Sequence, residues 1–251
     1  MFFNLKKNNK MKFFVLIVLT VFSINLVEGH TNLGFDTSVA FLDQDFYDCV
    51  AGRLNWNQKG FAIVPYDANG DFTDEITRAK KAGFREVHLL LDPDTFPFVN
   101  VHYLPDQILK ALQAKGTFVA GFWIKVTQGS RFWRSEGFNL RRIESLLNAF
   151  EATFLDYGET NLGVYTTNSD WNTIVGSSFS ETRFEGAVKL KYWAAINESP
   201  TTCDVQDPTK SICYFQQIQY HNTACGAPFN VNIKRIDAVD RKIIDDVVMT
   251  L

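Results

Sequence analysis

Residues 87–126 read VHLLLDPDTFPFVNVHYLPDQILKALQAKGTFVAGFWIKV. Val87 to Leu91 is a short apolar run, Pro105 to Lys115 reads as a helix, Gly116 ends it, and Phe118 to Val126 is a second apolar run. Strand, helix and strand in that order make one crossover unit of a parallel sheet.

The same alternation extends in both directions. Further strands are expected at Leu33 to Asp36, Phe61 to Tyr66, Leu162 to Thr166, Leu190 to Ile196, Tyr214 to Tyr220 and Phe229 to Ile233. Helices are expected at Phe72 to Ala82 and at Leu140 to Tyr157, where Ile143, Leu146, Leu147, Phe150 and Phe154 recur at helical spacing. Gly83, Gly116 and Gly158 follow the last periodic residues, as left-handed helix stops do. Val239, Ile243, Val247 and Leu251 would share one face of a helix in the tail. Eight strands suit a closed barrel. The expected fold is an α/β, irregular (β/α)8 TIM-like barrel, in one domain over residues 30–251.

Met1 to Gly29 precedes that domain with Lys6, Lys7, Lys10 and Lys12, an apolar run from Phe13 to Ile24, and small residues near Gly29. This is the order of a secretory signal peptide. The run is too short for a stable membrane anchor, so the mature chain is expected to leave the membrane. A secreted protein follows, destined for the extracellular space, a gut lumen or lysosome-like secretory vesicles. Four of the 25 basic and one of the 28 acidic side chains lie in the leader, so the mature chain carries 21 against 27. Nucleic acid is an unfavoured partner for that balance.

Cys49, Cys203, Cys213 and Cys225 all follow the leader. In an oxidising compartment they predict two disulfides, with three pairings open. A Cys203–Cys213 bridge would close a short loop and leave Cys49 with Cys225. The four cysteines lack metal-ligand spacing, the four histidines are scattered, and no phosphate-cradling glycine motif is present, so neither metal nor cofactor is expected. Asn197-Glu198-Ser199 is a glycosylation sequon with Pro200 just after it.

In parallel barrels the functional groups gather at the carboxyl ends of the strands. There the sequence places Asp36, Asp92, Asp94, Lys125, Thr127 and Asn230, with Tyr66, Trp123, Tyr165 and Trp193 as aromatic walls that either stack on sugar faces or belong to the core. Asp92-Pro93-Asp94 is either a solvated turn or a source of replacement carboxylates. For Lys125 an ion pair with Asp36 is expected, since a charge in a cleft needs a partner.

Several pieces carry a resemblance: Gly34-Phe35-Asp36-Thr37-Ser38, Ala82-Gly83-Phe84, Gly163-Val164-Tyr165-Thr166-Thr167 with Trp171, Tyr192-Trp193-Ala194, Ile218-Gln219-Tyr220 and Cys225-Gly226. In this order and spacing the chain resembles the lysozymes of glycoside hydrolase family 25, in the branch found in invertebrates and protists. The resemblance implies a flattened (β/α)8 barrel that cleaves the link between N-acetylmuramic acid and N-acetylglucosamine in peptidoglycan. Asp36 matches the family's first-strand Asp. The fourth-strand pattern Trp-x-Asp-x-Glu falls on Trp123, Ile124, Lys125, Val126 and Thr127, and the last-strand Asp-x-Asn on Asn230, Val231 and Asn232.

Three of the four acidic positions have therefore lost their carboxylates. Glycoside hydrolysis needs a protonated acid at the leaving oxygen and a second carboxylate at the cationic centre. Thr127 supplies neither, and a lysine two residues before it, on the same face, opposes a developing positive charge. The expected function is a lysozyme-like protein of innate defence or digestion that binds N-acetylated glycan with muramidase activity lost or severely weakened. Asp36, Asn230 and Asn232 would supply the polar contacts. Two alternatives stand: an active muramidase using Asp36 with Asp92 or Asp94, and a non-catalytic module that binds protein on its outer face.

Overall fold

The computed structural model describes residues 32–54, 60–68, 72–95, 101–157, 161–177, 191–194 and 212–234. The eight strands are β1 (Asn32–Asp36), β2 (Phe61–Pro65), β3 (Glu86–Leu91), β4 (Gly121–Lys125), β5 (Asn161–Thr166), β6 (Lys191–Ala194), β7 (Ile212–Asn222) and β8 (Phe229–Lys234). They pair in chain order and close into a barrel. Strands β1 to β7 run parallel, while β8 is antiparallel to both β7 and β1.

The described helices are α1 (Gln44–Arg53), α2 (Phe72–Lys81), α3 (Leu104–Ala114), α4 (Glu136–Phe154) and α5 (Asn168–Val175). Helices α2, α3 and α4 fall where the apolar spacing predicts them. Gly83 and Gly116 have φ of 103° and 60°, the left-handed stops expected of them. Two helices were not expected. In α1 the start is set by Asp43, whose carboxylate accepts from Phe46 N at 2.9 Å. In α5 Thr167 accepts from Asp170 N at the same distance.

Alternate strand residues serve two cores. Phe35, Ala62, Val64, Val87, Leu89, Phe122, Ile124 and Val164 face outward and meet the helices. Phe122, for example, packs against Phe150 and Phe154 of α4 with ring centroids 4.5 and 4.6 Å apart. Inside the barrel, Phe61, Ile63, Leu90, Trp123, Trp193 and Phe215 form a second cluster, with Phe61 and Phe215 stacked at 4.3 Å. Gly34 leaves room for it: a Cβ there would stand 2.0 Å from the Phe61 ring.

Strand β4 is shorter than expected. It begins at Gly121, because Phe118 is 71% exposed and its carbonyl accepts from Lys80 Nζ at 2.7 Å instead of joining the ladder. A disulfide joins Cys49 on α1 to Cys225 in the β7–β8 turn. The leader, Gly158, Asn197, Cys203 and the tail helix lie outside the described residues, and with Cys203 so does the expected second bridge. Among the described residues no helix is long and apolar enough to cross a membrane.

Candidate functional site

The antiparallel seam builds the site. Register pairs Asp36 with Asn230 and Gly34 with Asn232, while Gln217 on β7 pairs with Asn232. Paired residues and those two apart share a face, so Asp36, Asn230, Asn232 and Gln217 all converge inside the barrel.

Asp36 is buried, and both its oxygens accept amide hydrogens. Asn232 Nδ2 donates to Oδ1 at 2.6 Å, Gln217 Nε2 to Oδ1 at 3.5 Å, and Asn230 Nδ2 to Oδ2 at 2.7 Å. Burial pushes the Asp36 carboxyl up to about 6, and the amides of Asn232, Asn230 and Gln217 hold it from rising further. Asn232 is oriented in turn by Trp193, whose indole Nε1 donates to Asn232 Oδ1 at 2.9 Å. An indole can only donate, so it selects the amide oxygen and leaves the amide nitrogen for Asp36. Tyr165 OH reaches Gln217 Oε1 at 3.5 Å.

Lys125 does not pair with Asp36. Its ammonium sits 2.7 Å from Asp92 Oδ2, because β3 is its parallel neighbour and Asp92 follows directly from that strand. The other Asp92 oxygen accepts from Asp94 N at 3.1 Å, which makes Asp92-Pro93-Asp94 a tight turn. Asp94 Oδ1 accepts from Ser130 Oγ at 2.9 Å and Arg131 N at 3.0 Å, tying the loop after β3 to the loop after β4. Thr127 lies two residues beyond Lys125, half-buried just past the end of β4.

The aromatic walls are placed differently from the sugar-stacking expectation. Trp123 and Trp193 are wholly buried in the barrel interior and offer no ring face to a ligand. Both faces of a barrel strand are covered, so inward-pointing bulk fills the barrel. Tyr66 packs against Phe72 in the outer core, 5.1 Å between rings. Tyr165 alone of the four is half-buried, with its ring 4.3 Å from Trp193.

Three residues at the amino end of the barrel escaped the sequence reading. Lys234 Nζ lies 2.8 and 2.7 Å from the two Glu86 oxygens, and His88 Nε2 lies 3.5 Å from Glu86 Oε2. The His88 imidazole, with Lys234 assisting against burial, holds the Glu86 carboxyl down at about 2. Trp123 Nε1 points at His88 Nδ1, 3.3 Å away, which puts the neutral imidazole's proton on Nε2. Gln217 was also missed; its signal was its place two residues after the inward Phe215. Among the described residues no group of three or more His, Cys, Asp or Glu could hold a metal ion.

The closed α/β barrel, parallel but for its last strand, presents a buried Asp beside amides at its strand ends. Residues 34–207 match the family described as Lysozyme-like protein 1, and the chain belongs to that lysozyme-like family. Solved structures of similar fold include a muramidase from Acremonium alcalophilum, 14% identical, with TM-score 0.51, covering 82% of this chain and 94% of that one. A family GH25 lysozyme from Aspergillus fumigatus is 15% identical, with TM-score 0.50, covering 86% and 98%. The catalytic domain of endolysin ply40 from bacteriophage P40 of Listeria monocytogenes is 11% identical, with TM-score 0.51, covering 88% and 98%. No curated protein matches the chain.

Proposed function

We propose that this chain is a secreted, lysozyme-like glycan-binding protein that holds N-acetylated polysaccharide of the bacterial wall without hydrolysing it, in defence or digestion. The observation that carries the reading is the state of Asp36. It is the sole carboxylate left at the family's acidic positions, and amide hydrogens engage both of its oxygens. A carboxyl so placed, even half protonated near pH 6, acts without the partner carboxylate that glycoside hydrolysis requires.

The rival use of Asp92 or Asp94 as replacement loses support from their contacts. Asp92 is neutralised by Lys125, and Asp94 serves as an acceptor for Ser130 and Arg131. What remains at the mouth suits binding: half-buried Tyr165 and Asn230, with Asp36 and Asn232 behind them. Titration with N-acetylglucosamine oligomers and soluble peptidoglycan fragments tests this. Saturable binding, weakened about tenfold in Tyr165→Ala, is expected, as loss of one sugar-stacking ring gives in comparable sites. Absence of saturable binding, or binding indifferent to both Tyr165→Ala and Asn230→Ala, would overturn it. Protein recovered from the medium of eukaryotic cells should begin near His30, which checks the leader.

A further inference from the structure

The segment leaving β4 and entering α4, residues 127–142 (TQGSRFWRSEGFNLRR), carries Arg131, Arg134, Arg141 and Arg142 against one acid, Glu136. In a chain of net charge −3 this is a local reversal of sign. Asp94 and Asp170 also face the segment, accepting from Arg131 N and Gln128 N, and with both counted beside Glu136 the four arginines still outnumber the three acids. Arg131, Arg134 and Arg141 are exposed, and among the described residues none of the four forms an ion pair.

Arg142 is held in place without a carboxylate. Its guanidinium carbon stands 3.5 Å from the centroid of the Phe132 ring and 5.3 Å from that of Phe138, and Nη1 donates to Phe132 O at 2.7 Å. Burial first, and the nearby Arg134 charge second, lower the Arg142 pKa from its usual value. Like charges in excess of their counter-charges repel one another, and an anion arriving there relieves that repulsion. A guanidinium stacked on a ring has already given up its rotamer freedom, so it meets an oxyanion at reduced entropic cost. Asp94, which faces the segment, is occupied by Ser130 Oγ and Arg131 N. The whole segment starts two residues past Lys125, at the same end of the barrel as Asp36.

We propose that this arginine and phenylalanine patch binds the oxyanions of an acidic glycopolymer, carboxylate or phosphodiester, whose strand continues across the barrel mouth. The path of the strand rests on the glycan-binding reading; the anion site does not. The patch occupies one segment of a chain whose net charge is −3, which fits groups spaced along a flexible glycan better than the dense phosphates of a duplex.

The test uses the mature protein and three probes: polygalacturonate for carboxylate, poly(ribitol phosphate) teichoic acid for phosphodiester, and uncharged chitohexaose for the mouth alone. Arg131→Gln, Arg134→Gln and Arg141→Gln together remove three charges while leaving the Arg142 stack. A control of equal charge, Arg53→Gln, Lys81→Gln and Arg85→Gln, removes exposed cations from the opposite end of the barrel. The patch variant should lose about tenfold in affinity for the acidic polymer it prefers, a loss that fades in high salt, while the control stays within about twofold. The preferred polymer identifies the source of the anion. Failure of native protein to bind either acidic polymer, or an equal loss in both triple variants, overturns the proposal. Equally tight, patch-dependent binding of single-stranded DNA overturns it too, as a generic polyanion site. If native protein fails on chitohexaose yet binds an acidic polymer through the patch, the mouth reading falls and the anion site stands.

Discussion

Trp193, buried in the barrel interior, fixes the state of Asp36 at one remove. Because its indole can only donate, Asn232 must turn its oxygen toward Trp193 and its nitrogen toward Asp36. Replacing Trp193 with Phe frees Asn232 to turn its oxygen toward the carboxylate. The Asp36 carboxyl, which burial pushes up to about 6, should then titrate still higher in a carboxyl NMR titration. The variant should also lose about 2–3 kcal/mol, from an unsatisfied amide oxygen and lost ring area. An unmoved midpoint would show that Asn232 is held by something else. The two perturbed carboxyls act on stability with opposite signs. Asp36, raised from 3.8, disfavours the fold as pH rises toward 6. Glu86, lowered from 4.5 to about 2, contributes stability above pH 4.5 that is lost as pH falls toward 2. Lys234→Gln should therefore flatten the acid limb of stability between pH 4.5 and 2, measured by urea unfolding, and a limb as steep as native would exclude this pairing. Asp36, Asn230 and Asn232 were legible in the sequence because strand alternation and the family pattern both mark them. The partner of Lys125 was not, since a spacing along one strand says nothing about which neighbouring strand supplies the counter-charge.

Among the elements, the strands were the easiest to read and the seam the hardest. Strands β2 to β4 are compact, mostly apolar runs, and the crossover order gives the parallel pairing, whereas β7 and β8 mix polar with apolar residues. The direction of β8 follows from the short turn after β7, which permits only an antiparallel return; length alone hides that in a list of runs. The period-two pattern likewise could not say that Trp123 and Trp193 point into the barrel, because both sides of these strands are covered. Helices α1 and α5 were missed for a different reason: QDFYDCVAGR and NSDWNTIV are short and largely polar, and each buries only a narrow stripe, Phe46, Tyr47 and Val50 in one and Trp171, Ile174 and Val175 in the other. Strand packing makes two predictions. A Cβ on Gly121 would stand 2.4 Å from the Asn161 carbonyl oxygen, backbone that cannot give way, so Gly121→Ala should cost about 3 kcal/mol or more by thermal unfolding. An unchanged melting temperature would mean that β4 and β5 are spaced differently. The Cys49–Cys225 bridge closes 176 residues of separation, and Cys49→Ser should cost about 3–5 kcal/mol. A smaller change in denaturant midpoint would place the stability of α1 in its buried Phe46, Tyr47 and Val50 instead.

At the scale of the whole molecule, the barrel mouth carries Lys125, Thr127 and Asn230 beside Asp36, at positions that the resemblance to family 25 lysozymes matches to carboxylates. The interior is filled by aromatic rings, the seam by amides around one aspartate, and the rim by a Lys125–Asp92 pair. On the proposed reading such a mouth holds a polar ligand, lacks the second carboxylate that hydrolysis requires beside Asp36, and sets Lys125 near where positive charge would develop. The most direct measurement is peptidoglycan turnover by purified mature protein, beside the single variant Thr127→Glu and the triple variant Thr127→Glu, Lys125→Asp, Asn230→Asp, with folding checked by circular dichroism. The native protein should release no reducing ends above background. Thr127→Glu alone should recover little, because Lys125 would pair with the new carboxylate and keep it from holding a proton, whereas the triple variant should gain measurable activity, since general acid catalysis is worth ~10²- to 10⁴-fold. Native turnover at the rate of an active family 25 lysozyme, abolished by Asp36→Asn, would contradict the account.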